Sequence, residues 1–211
     1  MSAIAATAAD GHGHDHGGEA HPGSAYHESL MRSPVFLGMV MFIGSEIMLF
    51  GSFFTAFFYI RFSHNQYPFD PHHIFEIPKA TTGVNTAILV ASSFTMHWSL
   101  VSIRRGKRFG LIVGLALTLL MGLTFLGLQM REYHSLGFVP SDGAFSTTFF
   151  ALTGLHGLHV FVGATLLAIG LVRACRGHYS PGEHLGLEVT GLYWHFVDVV
   201  WVFLYTVVYL L

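Results

Sequence analysis

His195 and Asp198 stand inside Gly191-Leu-Tyr-Trp-His-Phe-Val-Asp-Val-Val-Trp-Val-Phe-Leu-Tyr205, a segment that is otherwise almost wholly aliphatic and aromatic. An ionisable side chain in such surroundings costs several kcal/mol (roughly 2.5 or more) unless it is paired, so each is a candidate for chemistry or for clamping helices together. A spacing of three puts the two on one helical face, within reach of each other. Glu188, Gly191, His195, Asp198 and Trp201 follow the same helical period, so one polar stripe is expected to face other helices and not lipid. His97 and Glu132 are candidate partners for that stripe.

Two further constellations have chemical spacing. His156 and His159 are three apart on one face. Imidazole is a common metal ligand, so they could form half of a metal or haem site. No cysteine or methionine arrangement completes a copper site, and no His-Glu-x-x-His is present. Hydrogen bonding to facing helices is the favoured reading. Glu46, after Ser45, sits about twelve residues into the first apolar segment, near mid-membrane at about 1.5 Å per residue. A carboxylate there takes up a proton unless a cation or hydrogen-bond donors compensate it. It suits either a protonatable group or a structural hydrogen bond.

The elements that must carry these residues are membrane spans. Of 211 residues, 52% are hydrophobic and only 10% charged, against about 25% charged in soluble domains. A span needs about 20 mostly apolar residues. Five segments qualify, at about 34–62, 81–103, 109–130, 145–172 and 186–210. The first and fourth are longer than a span requires. Pro34 suits a first helical turn, and Pro68, Pro71 and Pro78 mark the loop before the second segment. The expected fold is all-α, a polytopic bundle of five transmembrane helices.

Arg32, Arg104, Arg105, Lys107, Arg108, Arg173 and Arg176 fall on one side, and Arg61, Lys79 and Arg131 on the other. That split, seven against three, predicts a cytoplasmic N-terminus. Gly110 and Gly114 allow close helix approach. The single cysteine, Cys175, rules out an internal disulfide. Residues 1–30 form a separate low-complexity tail, expected to be disordered, with His12, His14, His16 and His21 as weak metal ligands at most. A secretory signal is not expected. The balance of charge favours neither nucleic acid nor an anionic partner.

Four strings resemble subunit III of the haem-copper respiratory oxidases. They are Ser45-Glu46, Gln129-Met130-Arg131-Glu132-Tyr133, Thr153-Gly154-Leu155-His156-Gly157-Leu158-His159 and Tyr193-Trp194-His195-Phe196-Val197-Asp198-Val199-Val200-Trp201. They occur in the family's order and make residues 31–211 one five-helix subunit III domain, in the short bacterial form. The resemblance implies a non-catalytic subunit of a proton-pumping terminal oxidase in a bacterial inner membrane, with no redox centre of its own. The haems and copper would belong to partner subunits, subunit I being the main contact and subunit II another. It also implies bound phospholipids, with Arg173, Arg176 and His184 as headgroup candidates. Glu183 departs from relatives that have a histidine pair there. Cytochrome c is the favoured electron donor. Quinol oxidase is the alternative, which the histidine-rich tail favours, and a nitric-oxide-reductase accessory is narrower still. From another class, a histidine-using metal transporter or membrane haem protein remains open.

Overall fold

A computed structural model describes residues 33–63, 79–136, 139–180 and 184–210. The histidine tail, Arg32, Pro68, Pro71, Pro78 and Glu183 lie outside the described residues. Five long helices carry the fold: α1 (Pro34–Ser63), α2 (Lys79–Arg104), α3 (Arg108–Ser135), α4 (Ala144–Cys175) and α5 (Leu185–Tyr205). A 3-10 turn, Pro140–Asp142, precedes α4, and a π-helical turn, Thr206–Leu210, prolongs α5. All five are long and apolar enough to cross a membrane. In hydrocarbon every backbone donor and acceptor needs a partner within the protein, and a continuous helix supplies one for each.

The ends follow local rules. Ser33 Oγ accepts the Phe36 N–H at 3.2 Å, which makes it the cap of α1, and Pro34 fills the first helical position. At the end of α2, the Lys107 N–H reaches the Ser102 carbonyl and the Gly106 N–H reaches that of Ile103. That pair of bonds needs a left-handed residue between, and Gly106 has φ 71°. Gly177, with φ 78°, closes α4 in the same way. Helix α3 runs to Ser135, past the expected end near residue 130. It stays helical because Glu132, near its end, is buried and bonded inside the bundle.

Helices α2 and α3 form the most extensive pair, joined by the short turn 105–107. Glycine sets their spacing, as expected. A Cβ on Gly110 would lie 2.6 Å from Ser102 Oγ, and one on Gly114 would lie 2.7 Å from Ser99 Cβ and 3.0 Å from its Cα. Helix α4 packs on α3, α5 and α1, while α5 also packs on α2. Helix α1 touches the bundle only through α4 and α5 among the major contacts and leaves most of its surface exposed. The core is centred on Tyr193, Trp194 and Trp201 of α5, with Phe125 of α3 and Phe149 of α4. The segment richest in recognisable sequence is thus the one wrapped by its neighbours.

Candidate functional site

The buried polar residues fall into discrete clusters that join helices. The first ties α1 to α4. His159 Nε2 lies 2.9 Å from Glu46 Oε2, and its Nδ1 lies 2.7 Å from the Leu155 carbonyl. Phe50, one turn after Glu46, packs its ring 5.1 Å from the imidazole. The cation or donor that a mid-membrane carboxylate requires is therefore supplied from a different helix. Ser45 turns back to its own helix, donating to the Phe42 carbonyl at 2.7 Å.

The stripe on α5 forms the second group. Glu188, Gly191, Asp198 and Trp201 are buried, and His195 is half-buried. Glu188 Oε1 accepts from Arg104 Nη2 at 2.9 Å and from Arg104 Nε at 3.3 Å. His184 Nε2 is 3.1 Å from the same oxygen. His195 and Asp198 meet through a third residue. Ser93 Oγ lies 3.1 Å from His195 Nδ1 and donates to Asp198 Oδ2. His97 is exposed one turn further along α2, on the face that Ser93 occupies. The two indoles also bond to α2, Trp194 Nε1 to Ser92 Oγ at 2.9 Å and Trp201 Nε1 to Thr86 Oγ1 at 3.0 Å. Thus α2 supplies small hydroxyls for His195, Asp198 and the two indoles of α5, and a guanidinium for Glu188.

Glu132 belongs to a third cluster, away from the α5 stripe. Its carboxylate accepts from Thr82 Oγ1 at 2.9 and 3.0 Å and from Tyr209 Oη at 3.0 Å. His156 departs from the hydrogen-bonding expectation. Neither ring nitrogen has a partner among the described residues, and the side chain is wholly buried. It is packed between aromatic rings instead, 4.7 Å from Trp201 and 5.8 Å from Phe125 by ring centroids. Leaving such a group unbonded costs about 1–3 kcal/mol, offset here by ring packing.

At the end of α4, Arg173 and Arg176 are exposed. The Arg173 guanidinium lies 5.4 Å from the Tyr179 ring centroid. Burial pushes the Tyr179 phenol up, and the nearby Arg173 charge draws it partly back. His184 is turned inward, 2% exposed, against Glu188. The exposed headgroup candidates are therefore the two arginines.

Chemically, these clusters can hold helices and accept or release protons. Among the described residues no group of three or more His, Cys, Asp or Glu is placed to hold a metal ion. Sequence reasoning missed Thr82, Ser92, Ser93 and Tyr209, since a serine or threonine in an apolar run carries no distinctive signal. Arg104 was counted only for topology. Its signal was available: an arginine closing one helix and a glutamate opening another at the same membrane side.

Five spanning helices tied by interhelical polar pairs define a polytopic helical membrane protein, and the comparisons with known proteins agree. The family model for cytochrome c oxidase subunit III matches residues 17–211. A cytochrome c oxidase subunit 3 from Cyprinus carpio is 43% identical over 183 residues, 82% of this chain and 67% of the carp protein. The one from Lumbricus terrestris is 40% identical over 195 residues, covering 87% and 73% of the two chains. The chain belongs to the cytochrome c oxidase subunit III family. It is thereby part of an oxidoreductase complex of several subunits.

Proposed function

We propose that this chain is the non-catalytic subunit III of a proton-pumping haem-copper terminal oxidase that takes electrons from cytochrome c. It packs mainly against subunit I, which carries haem and copper with subunit II, and it steadies that subunit while oxygen is reduced to water. The carrying observation is how the buried ionisable groups are used. Glu46, Glu132, Glu188 and Asp198 each bond to a neighbouring helix, so they hold the bundle together; support of proton uptake belongs to the reading and rests on the resemblance. Arg173 and Arg176 hold phospholipid headgroups at the membrane face. The bacterial inner membrane is part of this reading and rests on the resemblance, since the matched relatives named above are animal proteins.

The N-terminus lies in the cytoplasm, on the seven-to-three basic split. An impermeant thiol reagent should fail to reach a cysteine placed in the 104–108 turn of intact cells. Labelling from outside would reverse the orientation. The functional reading is tested by affinity purification of the chain from its own membranes in mild detergent. Haem- and copper-bearing subunits should co-purify, and the complex should consume oxygen with reduced cytochrome c. Recovery of the chain alone, or haem retained one-to-one by this chain after separation from its partners, would reject it. Activity with quinol but not cytochrome c would change the electron donor.

A further inference from the structure

The turn between α2 and α3 borders an open pocket of about 460 Å³ lined by Trp98, Ser102, Arg105, Lys107, Arg108 and Phe109, among others. We propose that it is a binding site for one anionic phospholipid, the phosphodiester held by the basic turn and the acyl chains lying over Trp98 and Phe109. The reading is independent of the oxidase function, and the site adjoins the end of α4 through Arg108 without being lined by Arg173 or Arg176.

Three observations converge on an anion. Arg105, Lys107 and Arg108 bring three cations to one small pocket, and no carboxylate among the described residues pairs with them. Arg104, their neighbour in sequence, is the one that Glu188 engages. The turn is also the N-terminus of a 28-residue helix, with no acidic residue in its first turn and no side chain capping it. The opposing carbonyls at the end of α2 are already bonded, since Val101, Ile103 and Ser102 accept from Arg105, Gly106 and Lys107. The unsatisfied polarity at the turn is therefore that of the α3 amides, which favour negative charge. Arg108 is fixed as well. Its Nη2 donates to the Ala174 carbonyl at 3.4 Å, and a Cβ on Gly177 would come within 2.8 Å of that nitrogen. The fork is thus held at the edge of the pocket by the end of α4.

Two further residues point to a lipid as the source of the anion. Phe109 is 81% exposed and Trp98 47% exposed, both beside the cations. Phe109 is in the first turn of its span and Trp98 is two turns from the end of α2. A soluble phosphate has no use for an aromatic wall there, while a phospholipid covers it with acyl chain. Tryptophan is at home at that depth.

The test uses the intact membrane complex, purified and delipidated in mild detergent. Native mass spectrometry follows re-addition of phosphatidylglycerol, phosphatidylcholine or inorganic phosphate. The wild type should retain phosphatidylglycerol in preference to phosphatidylcholine, and inorganic phosphate should not displace it. Removing two cations in R105Q/K107Q should weaken phosphatidylglycerol retention roughly 30-fold, at about 1 kcal/mol per basic residue. Phe109→Ala should weaken retention of the diacyl lipid without creating phosphate binding. Equal retention in R105Q/K107Q and wild type would overturn the proposal. So would no preference for the anionic lipid, displacement by inorganic phosphate, or loss of a partner subunit instead of lipid in R105Q/K107Q. R173Q/R176Q, at the other candidate headgroup site, should leave this retention unchanged. Its loss there alone would place the lipid at the end of α4 and overturn the assignment.

Discussion

Gly122→Ala is expected to destabilise the bundle by a net of up to about 2 kcal/mol, and Gly122→Leu to abolish its assembly. A Cβ on Gly122 would lie 2.5 Å from Trp194 Cη2, and one on Gly163 would lie 2.9 Å from Trp194 Cε3. The indole is therefore gripped between α3 and α4, while its N–H is bonded to Ser92 on α2. It is wholly buried, and the indole ring is rigid. Overpacking a rigid ring costs about 1–3 kcal/mol, and the helical preference of alanine over glycine returns at most about 1 kcal/mol. Gly154 and Gly157 supply the control, because nothing lies within 4 Å of a Cβ at either. Alanine at those two sites should be neutral or slightly stabilising. Thermal unfolding of the purified complex reads the three alanine variants, and recovery of the complex reads Gly122→Leu. A Gly122→Ala protein as stable as Gly154→Ala would show that the indole is not held as described.

Arg104→Ala is the second large effect. It leaves Glu188, whose side chain is 6% exposed, with His184 as its remaining described partner. Breaking a buried ion pair from one side typically costs about 3–5 kcal/mol. Arg104 itself is 43% exposed, so water replaces part of what it supplied and the expected loss is about 1–3 kcal/mol. The signature is in the double change. Arg104→Leu with Glu188→Gln removes both charges and should recover most of the stability lost in Arg104→Ala. If the double variant is no more stable than Arg104→Ala, the pair is not what joins α2 to α5 at this end.

The helices were legible because twenty-residue apolar runs leave few alternatives, and Pro34 and the 104–108 turn marked boundaries. The end of α3 was not, since Arg131 and Glu132 look like a membrane edge. Only the tertiary bonds of Glu132 to Thr82 and Tyr209 show that the helix continues. The polar stripe on α5 was visible in its spacing. Its partners were not, because Ser92, Ser93 and Thr86 become informative only when α2 is set beside α5. His156 and His159 read alike in sequence, yet one meets Glu46 and the other is enclosed by rings. Which helix faces a given side chain separates them, and spacing alone carries no such information.

The support role is tested most directly by oxygen uptake of the purified oxidase with and without this chain, followed from the first turnovers through many. The account predicts that the haem-loaded complex lacking the chain still reduces oxygen at first. It then slows or inactivates sooner, because the lost contributions are packing, lipid and the proton-exchanging surface. Immediate and complete loss of oxygen reduction, in a complex that keeps its haems and copper, would contradict the account and assign a catalytic group to this chain.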